Sequence, residues 1–82
     1  MKLTDVLIRK AKGNGKIQKL FDGRGLFLYI STAGNKSWRW KYRFAGKEKL
    51  LTIGSYPEIS LREAREKREE AQRLLINGTD PS

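Results

Sequence analysis

Apolar and polar residues alternate with a period of two through the middle of the chain, then recur every three or four positions near its C-terminus. The first pattern predicts strands over 17–21, 26–31, 37–44 and 48–53. Asp22-Gly23, Thr32-Ala33-Gly34-Asn35-Lys36 and Ala45-Gly46 supply turn residues between them. Connections this short join neighbouring antiparallel strands. The second pattern predicts a helix over 60–77. Ser60-Leu61-Arg62-Glu63 has the capping-box form, Gly78 marks the stop, and Leu61, Ala64, Ala71, Leu74 and Leu75 form one apolar stripe. Lys67 and Arg68 interrupt that stripe, with stems expected to pack and charged heads to reach water. Ahead of the strands, Thr4 caps a short helical turn whose Leu3, Leu7, Ile8 and Ala11 share a face before Gly13-Asn14-Gly15. The expected fold is α+β: a small three- to four-stranded antiparallel β-sheet, a C-terminal α-helix packed on one face, and a short N-terminal helical turn.

The third strand carries the most informative alternation. Trp38, Trp40, Tyr42 and Phe44 fall on one face, Arg39, Lys41 and Arg43 on the other. The aromatic face is expected to pack under the helix with Leu26, Leu28, Ile30, Leu51 and Ile53. Phe27 and Tyr29 alternate onto the opposite side, where they either stack on a base or sugar or fill the surface between long cations.

Composition then narrows the function. The chain has 82 residues and a formal net charge of +9. Without Cys it has no disulfide, thiolate nucleophile or Cys-ligated zinc, and without His it lacks the commonest general base and metal ligand. No metal or cofactor is implied, and a self-contained enzyme is disfavoured. The apolar runs are far shorter than the ~20 residues of a membrane span, and the first residues lack a signal-peptide core. The expectation is a cytoplasmic protein with no membrane partner.

The charge is also unevenly placed. Thirteen cations against four carboxylates precede Ser60, an excess of nine, whereas five of each sign follow it. Arg39, Lys41 and Arg43 stand roughly 6.5–7 Å apart along their strand, near the phosphate spacing of a nucleic-acid strand. A sheet bearing such a row can enter a B-form major groove about 12 Å wide. Lys47 and Lys49 lie beyond the next turn, and Arg24 and Lys36 add candidate DNA contacts. Two other readings stay open: an RNA-binding module using the same basic and aromatic sheet, and a protein-interaction domain using Phe27, Tyr29 and Leu50 as an apolar patch. Asp22-Gly23-Arg24-Gly25 is too short for a phosphate-binding loop, and Tyr56-Pro57 reads as a turn into the Ser60 cap.

Several segments together resemble one family. They are Leu3-Thr4-Asp5 with Ile8 and Ala11-Lys12; Leu20-Phe21-Asp22-Gly23-Arg24-Gly25-Leu26; Trp38-Arg39 through Tyr42-Arg43-Phe44; Gly46-Lys47-Glu48-Lys49; 51–57; Ser60-Leu61 with Glu63-Ala64-Arg65; and Gly78-Thr79-Asp80-Pro81. In this order they resemble the N-terminal arm-type DNA-binding domain of prophage and genomic-island integrases, which are tyrosine recombinases. The resemblance implies binding of duplex DNA at accessory sites flanking the recombination core, in the bacterial cytosol. It implies a non-catalytic domain over 1–78 and, at 79–82, the start of a linker to an absent catalytic region. Other integrase protomers and accessory DNA-bending proteins are the further partners it implies. Carried over by position, Arg39, Lys41, Arg43, Lys47, Lys49 and Thr52 face the groove. Leu50 departs from the small polar residue common in the family, and Tyr29, Tyr42 and Tyr56 are not the nucleophile.

Overall fold

Four antiparallel strands in the order β1-β2-β3-β4 form a meander: β1 (Gln18–Gly23), β2 (Leu26–Ile30), β3 (Lys36–Phe44) and β4 (Lys47–Ser55). The structure, a computed structural model, describes residues 2–82. Helix α1 (Asp5–Lys10) precedes the sheet and α2 (Leu61–Ile76) follows it. The α+β arrangement expected from the periodicity is the one found.

Each helix is started by the residues that its sequence supplies. The Thr4 hydroxyl accepts the Leu7 amide at 3.2 Å. At α2, Ser60 Oγ accepts from the Glu63 amide while the Glu63 carboxylate accepts from the Ser60 amide, closing the capping box. Helix α2 lies across β3 and β4, and Leu61, Ala64, Arg68 and Ala71 are buried along its inner face with Leu75 half-buried. The inner spacing is therefore 3, 4, 3, 4, a regular stripe in which Arg68 takes the central place. Leu74, predicted within that stripe, is instead 45% exposed. Leu7 likewise turns outward from α1, whose buried residue is Ile8.

The core is the aromatic face of β3 with its neighbours. Trp38, Trp40 and Tyr42 are buried beside Leu26, Leu28 and Ile30, and Phe44, Leu51 and Ile53 pack against them. Both indole N–H groups are satisfied inside the fold: Trp38 Nε1 donates to the Ile59 carbonyl at 2.7 Å and Trp40 Nε1 to the Arg24 carbonyl at 2.8 Å.

Two irregularities aim side chains. The sequence places the first turn at Asp22-Gly23, but the two-residue loop is Arg24-Gly25, with φ of 54° and 86°. Positive φ at both positions matches the twist of the flanking strands. Gly25 is needed there for a second reason, because a Cβ would collide with the Lys41 carbonyl oxygen. Phe21 pairs with Phe27 and Gly23 with Leu26, so Asp22 is the extra residue of a bulge. Its carboxylate consequently reaches the helix side of the sheet. In β4 the register slips between Gly54, opposite Trp38, and Thr52, opposite Arg39, leaving Ile53 as the extra residue.

Candidate nucleic-acid interface

Directly opposed residues of antiparallel strands share a face, so the register decides what stands beside the β3 cations. Arg39 lies between Phe27 on β2 and Thr52 on β4, Lys41 faces Leu50, and Arg43 faces Glu48. Farther across, Phe27 pairs with Phe21 and Tyr29 with Lys19. This is the face away from α2, and it brings together Arg39, Lys41, Arg43, Thr52, Phe27 and Tyr29 as the sequence predicts. Lys19, Phe21 and Glu48 join them. Alternation from the buried Leu28 and its partner Leu20 would have placed Lys19 and Phe21 there as well.

The cations on this face are held differently. The Arg39 guanidinium carbon sits 3.8 Å from the centre of the Tyr29 ring, and its Nε is buried without a hydrogen-bond partner. Tyr29 thus acts as a shelf that limits the freedom of the guanidinium. Lys41 Nζ lies 2.9 Å from Glu48 Oε1, both side chains exposed. The Lys41 hydrogen bond and charge, with a smaller contribution from Arg43, hold the Glu48 carboxyl below its usual value. Arg43 is exposed and makes no ion pair among the described residues. Phe27 is only 4% exposed, 5.4 Å from the Phe21 ring and beneath Lys19. Of the two readings of Phe27 and Tyr29, the geometry is that of rings filling the surface between long cations.

Four predicted contacts stand elsewhere. Lys47 and Lys49 oppose Phe44 and Tyr42, on the helix side of the sheet. The reason is parity: the two-residue Ala45-Gly46 loop pairs Phe44 with Lys47, so the inner positions continue through Lys49 to Leu51 and the outer ones are Glu48, Leu50 and Thr52. Lys49 forms an ion pair with Asp80, which also accepts from the Tyr42 hydroxyl at 2.6 Å. Lys49 and then Tyr42 hold the Asp80 carboxyl far below its usual value, and Asp80 in turn raises Lys49. Lys36 opposes Ile30 on the core side, and its ammonium donates to the Ile8 carbonyl at 2.8 Å, at the end of α1. Arg24 reaches α2 and pairs with Glu69 at 3.2 Å.

A sequence profile described as Arm DNA-binding domain matches residues 3–82. The chain belongs to this family. The arm domain is 44% identical over 79 residues to the integrase of Shigella phage Sf6 and equally to prophage integrase IntS of Escherichia coli K12. Each match covers 96% of this chain and 20% of that protein. It is 45% identical to the integrase of Enterobacteria phage P4 over 83 residues, 99% of this chain and 19% of that one. The chain therefore spans about one fifth of these relatives' length.

The other charged centre of the arm domain lies on the helix side. Bulged Asp22 is buried and accepts four contacts: the Leu3 amide at 2.8 Å, Arg65 Nε at 3.0 Å, Arg65 Nη2 at 2.7 Å and Arg68 Nη1 at 3.4 Å. Arg68 is 8% exposed, and it also approaches the Gly23 carbonyl and Glu69. Its head does not reach water as predicted; a carboxylate brought by the bulge compensates it inside the fold. Burial would push the Asp22 carboxyl up, but the hydrogen bonds from Arg65 and Leu3 and the charges of Arg65 and Arg68 outweigh it and leave the group lowered. Among the described residues no group of acidic side chains could hold a metal, and no helix is long and apolar enough to cross a membrane.

Proposed function

We propose that this arm domain binds duplex DNA at arm-type accessory sites of an integrase, with the open face of the sheet in the major groove. Residues 1–78 form the DNA-binding module under this reading, and 79–82 lead out of it. The module itself carries no catalytic group. Strand cleavage and rejoining belong to the rest of a tyrosine recombinase, whose other protomers and accessory DNA-bending proteins are the partners of the full-length protein. The observation that carries the reading is the row of Arg39, Lys41 and Arg43 directed away from α2 on one strand. Arginines and lysines so placed can clamp phosphates or donate to guanine edges. Thr52 stands in the same patch, opposite Arg39. Duplex DNA is favoured over single strands because Phe27 is covered and Tyr29 lies under Arg39, so neither offers the open ring that base stacking needs.

Fluorescence anisotropy with labelled duplex tests this. With about four phosphate contacts, the logarithm of affinity should fall against the logarithm of salt concentration with a slope of roughly −3 to −4. Arg39→Ala combined with Arg43→Ala should weaken binding about 100-fold and flatten the slope by roughly two, with little change in melting temperature. Lys49→Ala or Arg24→Ala, on the helix side, should cost far less. A slope near zero, or tighter binding to duplex RNA or single strands, would refute the reading.

A further inference from the structure

One apolar side chain stands exposed in the middle of the proposed reading surface. Leu50 is 47% exposed and directly opposes Lys41, the central cation of the β3 row. Its outward neighbours on β4 are Glu48 and Thr52, so the β4 side of the patch carries a carboxylate, an isobutyl group and a hydroxyl where the β3 side carries three cations. A duplex seated on the cation row must also cover β4, because neighbouring strands are only ~4.8 Å apart.

The chemistry of those three side chains indicates what they meet. A carboxylate cannot face a phosphate without repulsion, and a leucine gains nothing from one. The outward side chains of β4 therefore suit base edges, and those of β3 suit the backbone or guanine. Among the groups that base pairs present in the major groove, only the thymine C5-methyl is apolar. Other apolar groups on the open face are less suited to reach it. Phe27 is covered, and Phe21 lies on the edge strand β1, two strands from the cation row.

We infer that Leu50 is a specificity-determining residue that packs on a thymine methyl, so that the arm domain prefers a thymine at one fixed place in its site. The inference rests on the duplex-binding reading given above. Thr52, the outward neighbour of Leu50 on the Arg39 side, extends the same contact with its own methyl group, while Arg39, held on Tyr29, fixes the register.

The test uses a duplex recovered by selection from random sequence with the 82-residue chain, then resynthesised with each thymine in turn replaced by deoxyuridine, which removes only the methyl. At one position the replacement should weaken binding about three- to tenfold, the loss expected for one buried methyl. Replacing that thymine by 5-methylcytosine should weaken binding less than replacing it by cytosine. Leu50→Ala should abolish the difference between thymine and deoxyuridine while keeping the salt slope, since half-exposed Leu50 contributes no charge and little core packing. If salt-dependent duplex binding persists but no deoxyuridine substitution matters, the inference fails and the duplex reading stands. A methyl preference that survives Leu50→Ala assigns the contact to another residue and overturns the inference. If no duplex is bound in a salt-dependent way, the underlying reading fails first.

Discussion

Asp22→Ala is expected to destabilise the domain by about 3–5 kcal/mol, the loss typical when one partner of a buried charge cluster is removed. For a chain of this length that is a large share of a total of roughly 4–12 kcal/mol. The substitution strands Arg68, which is 8% exposed and whose Nε already lacks a partner, and it deprives the Leu3 amide of its acceptor. Arg65, more exposed, can turn to water and recover part of its hydration. Urea unfolding at neutral pH measures the effect. Asp22→Asn should cost less, because the amide oxygen still accepts from Leu3 and one guanidinium. The pH dependence separates charge from packing. The folded carboxyl titrates below its ordinary value of 3.8, so its stabilisation is complete above that value and is lost as pH falls below it toward the folded pKa. The gap in melting temperature between the wild type and Asp22→Asn should therefore narrow on acidification below about pH 4. A gap of the same size at pH 7 and pH 3 would show that the ion cluster is not what Asp22 contributes.

Trp38→Ala should likewise cost about 3–5 kcal/mol. The indole is fully buried, packs edge-on to the Tyr56 ring at 6.3 Å, and donates to the carbonyl of Ile59, the residue just before the Ser60 cap. It therefore joins the middle of the sheet to the segment that delivers the chain into α2. Truncation leaves a cavity and frees the Ile59 carbonyl together. Trp38→Phe restores most of the volume but not the donor, and should recover more than half of the loss. Thermal melts of the two variants distinguish these contributions. If Trp38→Ala melted within a few degrees of the wild type, the aromatic face of β3 would not be the core.

The element order was legible because each segment is locally consistent: alternation in the strands, a capping box before the helix, glycine at the turns. The cation row was legible for the same reason, since a period of two leaves one way to bury four aromatics on β3. The facing of the later cations depends on parity carried across a turn, which charge counted along the chain does not show. Lys47 and Lys49 lie close in sequence to Arg43, yet the two-residue loop pairs Phe44 with Lys47 and turns both lysines to the helix side. Lys36 and Arg24, candidate DNA contacts from the sequence, have their heads engaged by the Ile8 carbonyl and by Glu69, 28 and 45 residues away.

By itself the sequence determined the α+β meander, the aromatic core of β3, and the outward placement of Arg39, Lys41 and Arg43, because backbone period and hydrophobic burial act locally. Only the tertiary structure decided how its charges are used. The Asp22 bulge, the burial of Arg68, the Tyr29 shelf beneath Arg39 and the tie between Lys49 and Asp80 each depend on groups brought together by strand register and helix docking. A charged side chain is long and its partner can come from any element, so whether it is free to meet DNA is settled by the fold and not by its place in the chain.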